Sequence, residues 1–129
     1  IDNLILSPRG IVIIETKNYK GILEGSVDDI DWKYTKTSAQ GNNYTTTVKN
    51  PLKQVKRQTY ILSQILKENN INCWIDGYLF LHNAKSYIDS DSILLNETSL
   101  THKITSSGKD NALRVEDIQR IKEILKINN

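Results

Sequence analysis

Apolar and polar residues alternate in blocks along the chain, and the spacing within each block predicts its secondary structure. Apolar runs at 3–6 and 11–16 flank a turn at 7–10 that contains Pro8 and Gly10. This pattern predicts a β-hairpin whose second strand, rich in β-branched residues, is largely buried.

Weaker strands are predicted at 22–25 and 32–35, where apolar and polar residues mix. The segment 38–47 is polar and rich in Asn and Thr, and it is predicted to be a loop or a hairpin tip.

From residue 50 onward the apolar positions follow helical spacing. Asn50 is predicted to cap a helix that runs from Pro51 to Glu68 and stops at Asn69-Asn70. Further elements are predicted as a core strand at 73–81, a short strand at 93–95, a helical turn at 98–103 and a closing amphipathic helix from Val115 to Leu125. The order strands, helix, strands, helix is typical of an α/β or α+β domain.

Composition narrows the class of protein. The 129 residues fit a single domain, residues 1–129, and one cysteine excludes a disulfide framework and an all-cysteine metal site. The net charge of +2 is too small to prove a nucleic-acid partner by itself. No apolar run is long enough to span a membrane and no signal peptide is evident, so a cytoplasmic location is expected. Because the chain starts at Ile1 in a strand-like segment, we interpret it as an N-terminally truncated fragment.

Charged residues at the end of the buried strand form the candidate site. Strand side chains alternate, so Glu15 and Lys17 project from one face. In a hairpin that turns at 7–10, Asp2 lies roughly opposite Glu15 or Thr16. Two carboxylates and one lysine are therefore predicted to converge.

This combination suits metal-assisted hydrolysis of phosphodiesters. Mg²⁺ prefers oxygen ligands and retains several waters, so Asp2, Glu15 and the main-chain carbonyl of Thr16 could hold it. Lys17 would neutralise developing phosphate charge or orient the attacking water. The alternative is an ordinary ion pair on a strand surface, the usual meaning of a Glu-x-Lys triplet.

The same residues resemble a known family. The run from Ile1 to Ile11, followed by Val12–Asn18 with its Glu-Thr-Lys triplet, is similar to the nuclease-related domain (NERD) family of the PD-(D/E)XK nuclease superfamily. The resemblance continues at Gly21, at Trp32 and at the Asn-Pro-x-x-Gln helix start that ends with Gln54.

The resemblance implies an α/β, restriction-endonuclease-like core with a mixed central β-sheet flanked by helices. The family's N-terminal helix, which bears a further acidic residue, is absent from this sequence. By resemblance, Asp2 and Glu15 are the acidic positions, Lys17 is the catalytic lysine and Gln54 faces the site. The implied activity is hydrolysis of DNA phosphodiester bonds with Mg²⁺, for which Mn²⁺ could substitute.

Lys53, Lys56 and Arg57 make the start of the predicted helix basic, and they are candidates for contacts with DNA phosphates. An ordinary solvated helix face is an equally good interpretation. The expected partners are DNA, a second copy in a homodimer and other domains fused to this one. The alternative function is a catalytically inactive DNA-binding or protein-interaction module with the same fold.

Overall fold

The fold combines eight strands and three helices in the part of the chain that the structure, a computed structural model, describes, residues 3–126. The strands are β1 (Asn3–Ser7), β2 (Gly10–Asn18), β3 (Ile22–Glu24), β4 (Asp31–Thr37), β5 (Asn43–Lys49), β6 (Ile75–His82), β7 (Lys85–Ser86) and β8 (Ile93–Leu94). The helices are α1 (Pro51–Glu68), α2 (Glu97–Ser106) and α3 (Val115–Leu125). Within this range, no helix combines the length and the apolar character that a membrane crossing requires.

The first sheet has the strand order β1-β2-β6-β8 and is mixed. β1 and β2 form the predicted antiparallel hairpin, with Asn3 opposite Ile14. β2 and β6 are parallel, as are β6 and β8. The predicted α/β class with a mixed sheet flanked by helices is confirmed.

The two faces of β2 enter different parts of the core. Ile11 and Ile13 pack in one cluster with residues of α1 and α3, among them Leu62 and Ile121. Val12 and Ile14 pack on the opposite face, where Leu100 and Ile104 of α2 contact the cluster. Burial on both faces explains why β2 appears in the sequence as a continuous apolar run.

The remaining four strands form a second sheet with the strand order β5-β4-β3-β7. β3, β4 and β5 pair antiparallel, and the two-residue strand β7 pairs parallel with β3. Trp32 of β4 is fully buried and packs in one cluster with Leu52 and Val55 of α1. α1 therefore joins the cores beneath both sheets.

The structure corrects the prediction for residues 43–47, which belong to β5 rather than to a loop. β5 pairs with β4 from Asp31–Lys49 to Thr37–Asn43, and almost all of its side chains are exposed. A strand exposed on both faces has no apolar alternation, so only the β propensity of its Thr and Tyr residues could have indicated it.

Two other boundaries differ from the prediction. Cys73 and Trp74 precede β6, although the Trp74 carbonyl accepts a hydrogen bond from the Ile11 N–H at 2.8 Å. The predicted turn at 98–103 is the helix α2, which Asn96 caps by accepting from the Ser99 N–H. None of the residues of α2 is fully buried, so its apolar periodicity is weak in the sequence.

Candidate metal and nucleic-acid site

The Glu-x-Lys triplet lies at the end of β2, where the buried strand reaches the surface. Glu15 is 4% exposed and continues the face of Ile11 and Ile13. The Lys17 Nζ lies 3.8 Å from Glu15 Oε1, and the Lys17 side chain is 36% exposed. The structure thus brings Glu15 and Lys17 together, with the carboxylate inside and the ammonium group at the rim.

The second oxygen of Glu15 has no hydrogen-bond donor among the residues that the structure describes. Within residues 3–126, two buried side-chain polar atoms lack a hydrogen-bond partner, Glu15 Oε2 and Gln58 Oε1. Both are acceptors, and burying an acceptor without a partner costs free energy. A cation, or a hydrogen-bond donor from a bound group, would satisfy either oxygen. Oxygen atoms are the ligands that hard metal ions prefer, so the two side chains fit such an ion.

Gln58 reaches the same part of the molecule from α1. Leu62, one turn after Gln58, packs in the cluster of Ile13, whereas Val55, three residues before it, packs in the cluster of Leu79. Leu79 is the partner of Glu15 in the β2–β6 register. Gln58 therefore lies on α1 between residues that pack in these two clusters.

A cleft of about 620 Å³ opens beside Lys17. Lys49, Lys53 and Arg57 line it with Lys17, so four cationic side chains surround it. Among the described residues that line this cleft, none is acidic. A concave surface with one sign of charge concentrates ions of the opposite sign, so the cleft favours a polyanion.

The start of α1 forms another wall of the cleft, through Asn50 and Pro51. Asn50 Oδ1 accepts from the Leu52 N–H at 2.9 Å, and Asn50 Nδ2 donates to the carbonyls of Val27 and Asp29, each at 2.9 Å. The first turn of α1 contains no acidic residue, so the positive end of the helix dipole adds to the cationic field.

The structure distributes the other predicted residues as follows. Gln54 is exposed and lines the cleft with Lys53 and Arg57, so these three lie beside Lys17. Lys56 is exposed on α1 but is not among the residues that line the cleft. Thr16 pairs with Phe80 across the β2–β6 ladder. Because strand side chains alternate, the Thr16 side chain lies on the opposite face of β2 from Glu15.

Asp2 lies outside the described residues, so its predicted place opposite Glu15 or Thr16 stays a prediction. In the part of the chain from residue 3 to residue 126, no group of three or more His, Cys, Asp or Glu side chains could hold a metal ion. Of the two carboxylates predicted to bind the metal, Asp2 and Glu15, only Glu15 lies within the described residues.

Sequence reasoning missed Lys49 and Tyr19 as cleft residues and left Gln58 aside. Lys49 ends β5, a strand that was not predicted, and Tyr19 follows β2 directly. The position of Lys49 immediately before the Asn50 cap was the available signal, because the residues around a helix start share its surroundings. The burial of Gln58 Oε1 depends on how α1 docks on the sheet, which the sequence does not display.

The α/β core, with a Glu-x-Lys triplet at the end of an inner strand, is consistent with the class of nuclease-like α/β domains. The chain belongs to the nuclease-related domain family (NERD), because that family matches residues 1–82, more than half of the 129 residues. No curated protein and no solved structure matches the chain.

Proposed function

We propose that this domain is a metal-dependent nuclease that hydrolyses phosphodiester bonds of DNA. One observation carries the proposal: the buried Glu15 carboxylate, with an oxygen that has no hydrogen-bond partner within residues 3–126, lies beneath Lys17 at the rim of a cationic cleft. A carboxylate that is costly to bury and adjoins a polyanion-binding surface is typical of a functional site. Membership of the nuclease-related family supports the same conclusion.

In this proposal Glu15 holds Mg²⁺ or Mn²⁺, with Asp2 and the main-chain carbonyl of Thr16 as the further ligands. Mg²⁺ needs only one or two carboxylates because it keeps several of its waters. When bound there, the metal would polarise the phosphate and lower the pKa of a coordinated water.

The chain's own residues supply binding and charge. Lys53 and Arg57 hold phosphates of the DNA backbone in the cleft, and Gln54 orients the strand or the water between them. Lys17 places its ammonium group against the charge that develops on the scissile phosphate. The Lys17 Nζ lies 3.8 Å from Glu15 Oε1, so the ammonium group is close to the proposed metal ligand before DNA binds.

The first test is cleavage of supercoiled plasmid in Mg²⁺ and in Mn²⁺ by the unmodified chain and by the variant Lys17→Ala. The matched control is Lys36→Ala, which removes an exposed lysine of β4 outside the cleft. We expect metal-dependent nicking that Lys17→Ala abolishes and Lys36→Ala retains. Equal activity in both variants would show a contaminating nuclease and contradict the assignment of Lys17.

A second candidate is a module that binds DNA without cutting it. It is favoured because residues 3–126 contain no group of three or more His, Cys, Asp or Glu side chains that could hold a metal ion. This candidate predicts DNA binding that survives Lys17→Ala, no nicking in either metal, and no change in calorimetric Mn²⁺ titrations between the chain and Glu15→Ala. Loss of Mn²⁺ binding in Glu15→Ala together with nicking by the unmodified chain would exclude it.

A further inference from the structure

A second groove, of about 440 Å³, lies on the other flank of α1 from the cationic cleft. Thr59, Tyr60 and Ser63 of α1 form one wall, and Cys73, Trp74 and Ile75 form the other. Trp74 is 48% exposed and Tyr60 is 65% exposed. Two large aromatic side chains therefore face solvent at one groove.

Trp74 is held in place while it is exposed. Its indole Nε1 donates to Asp76 Oδ2 at 2.7 Å, and its main-chain carbonyl accepts from the Ile11 N–H at 2.8 Å. Gly10 permits this close approach, because a Cβ atom there would lie 2.5 Å from the Trp74 carbonyl oxygen. A ring that is fixed before a ligand arrives loses little conformational entropy on binding.

Cationic side chains lie near the groove, and Asp76, which accepts from the Trp74 indole Nε1, is an acidic side chain beside it. The Lys109 Nζ lies 5.5 Å from the centroid of the Trp74 ring. α1 carries four basic residues against the single acidic residue Glu68; the basic ones are Lys53, Lys56, Arg57 and Lys67. Tyr60 follows Arg57 by three positions, so it lies next to it on the helix surface. The cationic surface thus continues from the cleft to the groove across α1.

We propose that this groove binds unstacked bases of single-stranded DNA, with Trp74 and Tyr60 as stacking surfaces. Aromatic faces stack on any base, and adjacent cations bind the intervening phosphates. The bases of an intact duplex stack on one another and are unavailable to the groove. The proposal deepens the proposed function by naming a single-stranded or unpaired DNA segment as the substrate, and it rests on that function only for the choice of DNA.

The test is fluorescence anisotropy of a labelled ten-nucleotide dT strand, with EDTA present so that no cleavage occurs. Trp74→Ala and Tyr60→Ala should each weaken binding about tenfold, the order expected for one stacked base. The matched control is Tyr44→Ala, since Tyr44 is an exposed aromatic residue of β5, 58% exposed, outside the groove. Trp74→Phe keeps a stacking face and should bind more tightly than Trp74→Ala.

A decamer of abasic sites provides the ligand control, because it has the phosphates without the bases. Trp74→Ala should leave binding of this decamer unchanged, whereas Lys53→Gln should weaken both ligands. If Trp74→Ala and Trp74→Phe, folded by circular dichroism, bind dT as the unmodified chain does, the stacking site is wrong. The same result with plasmid nicking intact would leave the proposed nuclease standing.

Binding through Trp74 without cleavage would separate the stacking site from the proposed nuclease. If the dT strand binds through Trp74 while plasmid and single strands stay uncut in Mg²⁺ and Mn²⁺, the stacking site stands and the nuclease fails. If an unrelated peptide displaces the dT strand from the unmodified chain but not from the Trp74→Ala variant, the groove is a peptide site and the proposal is overturned.

Discussion

Burial of the Glu15 carboxylate costs folding free energy, and the same carboxylate is the proposed metal ligand. Its carboxylate is almost fully buried, and one of its oxygens has no donor among the described residues. Lys17 offsets part of that cost, but at 3.8 Å the contact is longer than a hydrogen bond and its ammonium group is partly solvated. Residues that serve function in this way commonly reduce stability.

Replacing Glu15 with Gln should therefore stabilise the metal-free domain by about 1–3 kcal/mol, because a neutral amide is less costly to bury than a carboxylate. Thermal unfolding with and without Mn²⁺ measures both consequences, since Mn²⁺ should raise the Tm of the unmodified chain and not that of Glu15→Gln. Glu24→Gln is the control, because Glu24 is 47% exposed and pairs with Lys33 only at 4.0 Å. A lower Tm in Glu15→Gln would contradict this account.

Cys73 lines the groove, and its partial burial changes the pKa of its thiol. Desolvation by burial, the largest cause, raises the pKa of the Cys73 thiol from 9.0 to about 11. The thiolate is the nucleophile, so at pH 8 alkylation by iodoacetamide should be about a hundredfold slower than in the urea-unfolded chain. The rate should rise about tenfold per pH unit until the pH approaches 11. Rapid alkylation of the folded chain at pH 7 would contradict the raised pKa.

For single residues, the sequence predicts side-chain positions correctly where they follow from strand alternation. Glu15 and Lys17 were predicted to share a face because they are two positions apart in a strand, and the structure places the Lys17 Nζ 3.8 Å from Glu15 Oε1. Gln58 could not be distinguished from Gln54 in the sequence, since both flank the apolar stripe. Only the docking of α1 buries Gln58 Oε1 while Gln54 stays exposed.

Among the elements, α1 links the site to the fold. Its N-cap, Asn50, is 4% exposed, and its side chain makes three hydrogen bonds: it accepts one from the Leu52 N–H and donates two to carbonyls in the segment before β4. The same side chain thus starts the helix and anchors the loop that precedes β4. Movement of this cap would displace Lys53 and Arg57, which line the cleft within the next two turns.

Asn50→Ala should reduce the free energy of unfolding by about 2–3 kcal/mol, because it removes the cap and leaves two carbonyls without their donor. Asn50→Ser keeps a capping oxygen but loses the two donated hydrogen bonds, so its loss should be smaller. Urea denaturation of the three chains checks the order. Equal losses in Ala and Ser would show that the cap itself contributes nothing.

The helix α1 was predicted from Pro51 to Glu68, and the structure gives the same limits. Its ends are local signals, an Asn-Pro start and an Asn-Asn stop, that do not depend on distant residues. β5 and β7 lack such signals. β5 is exposed on both faces, and β7 exists because its two residues pair with β3, far away in the chain.

For the whole molecule, charge is distributed unevenly although the net charge is only +2. Four cationic side chains meet at the cleft without an acidic neighbour in its described lining. The composition could not predict this, because it reports the sum of the charges and not their arrangement. The division into two sheets is likewise a long-range property, set by pairings that no single segment encodes.

DNA binding should accordingly depend strongly on salt. Lys53→Gln and Arg57→Gln should each reduce the slope of log K against log salt concentration by about 1, because each removes one phosphate contact. Lys33→Gln is the control, since Lys33 lies on β4 and pairs with Glu24. Anisotropy titrations at several salt concentrations measure the slopes. Unchanged slopes in the two cleft variants would place the DNA elsewhere on the surface.

The two tryptophans of the chain occupy opposite environments. Trp32 is completely buried and donates its indole N–H to the Ser26 carbonyl at 2.8 Å, whereas Trp74 is 48% exposed beside the groove. The protein therefore contains two intrinsic fluorophores that report different events. Emission from Trp32 should stay shielded from acrylamide until the domain unfolds, and the quenchable part of the emission should come from Trp74. Folding and occupancy of the groove can then be followed in one cuvette without any label.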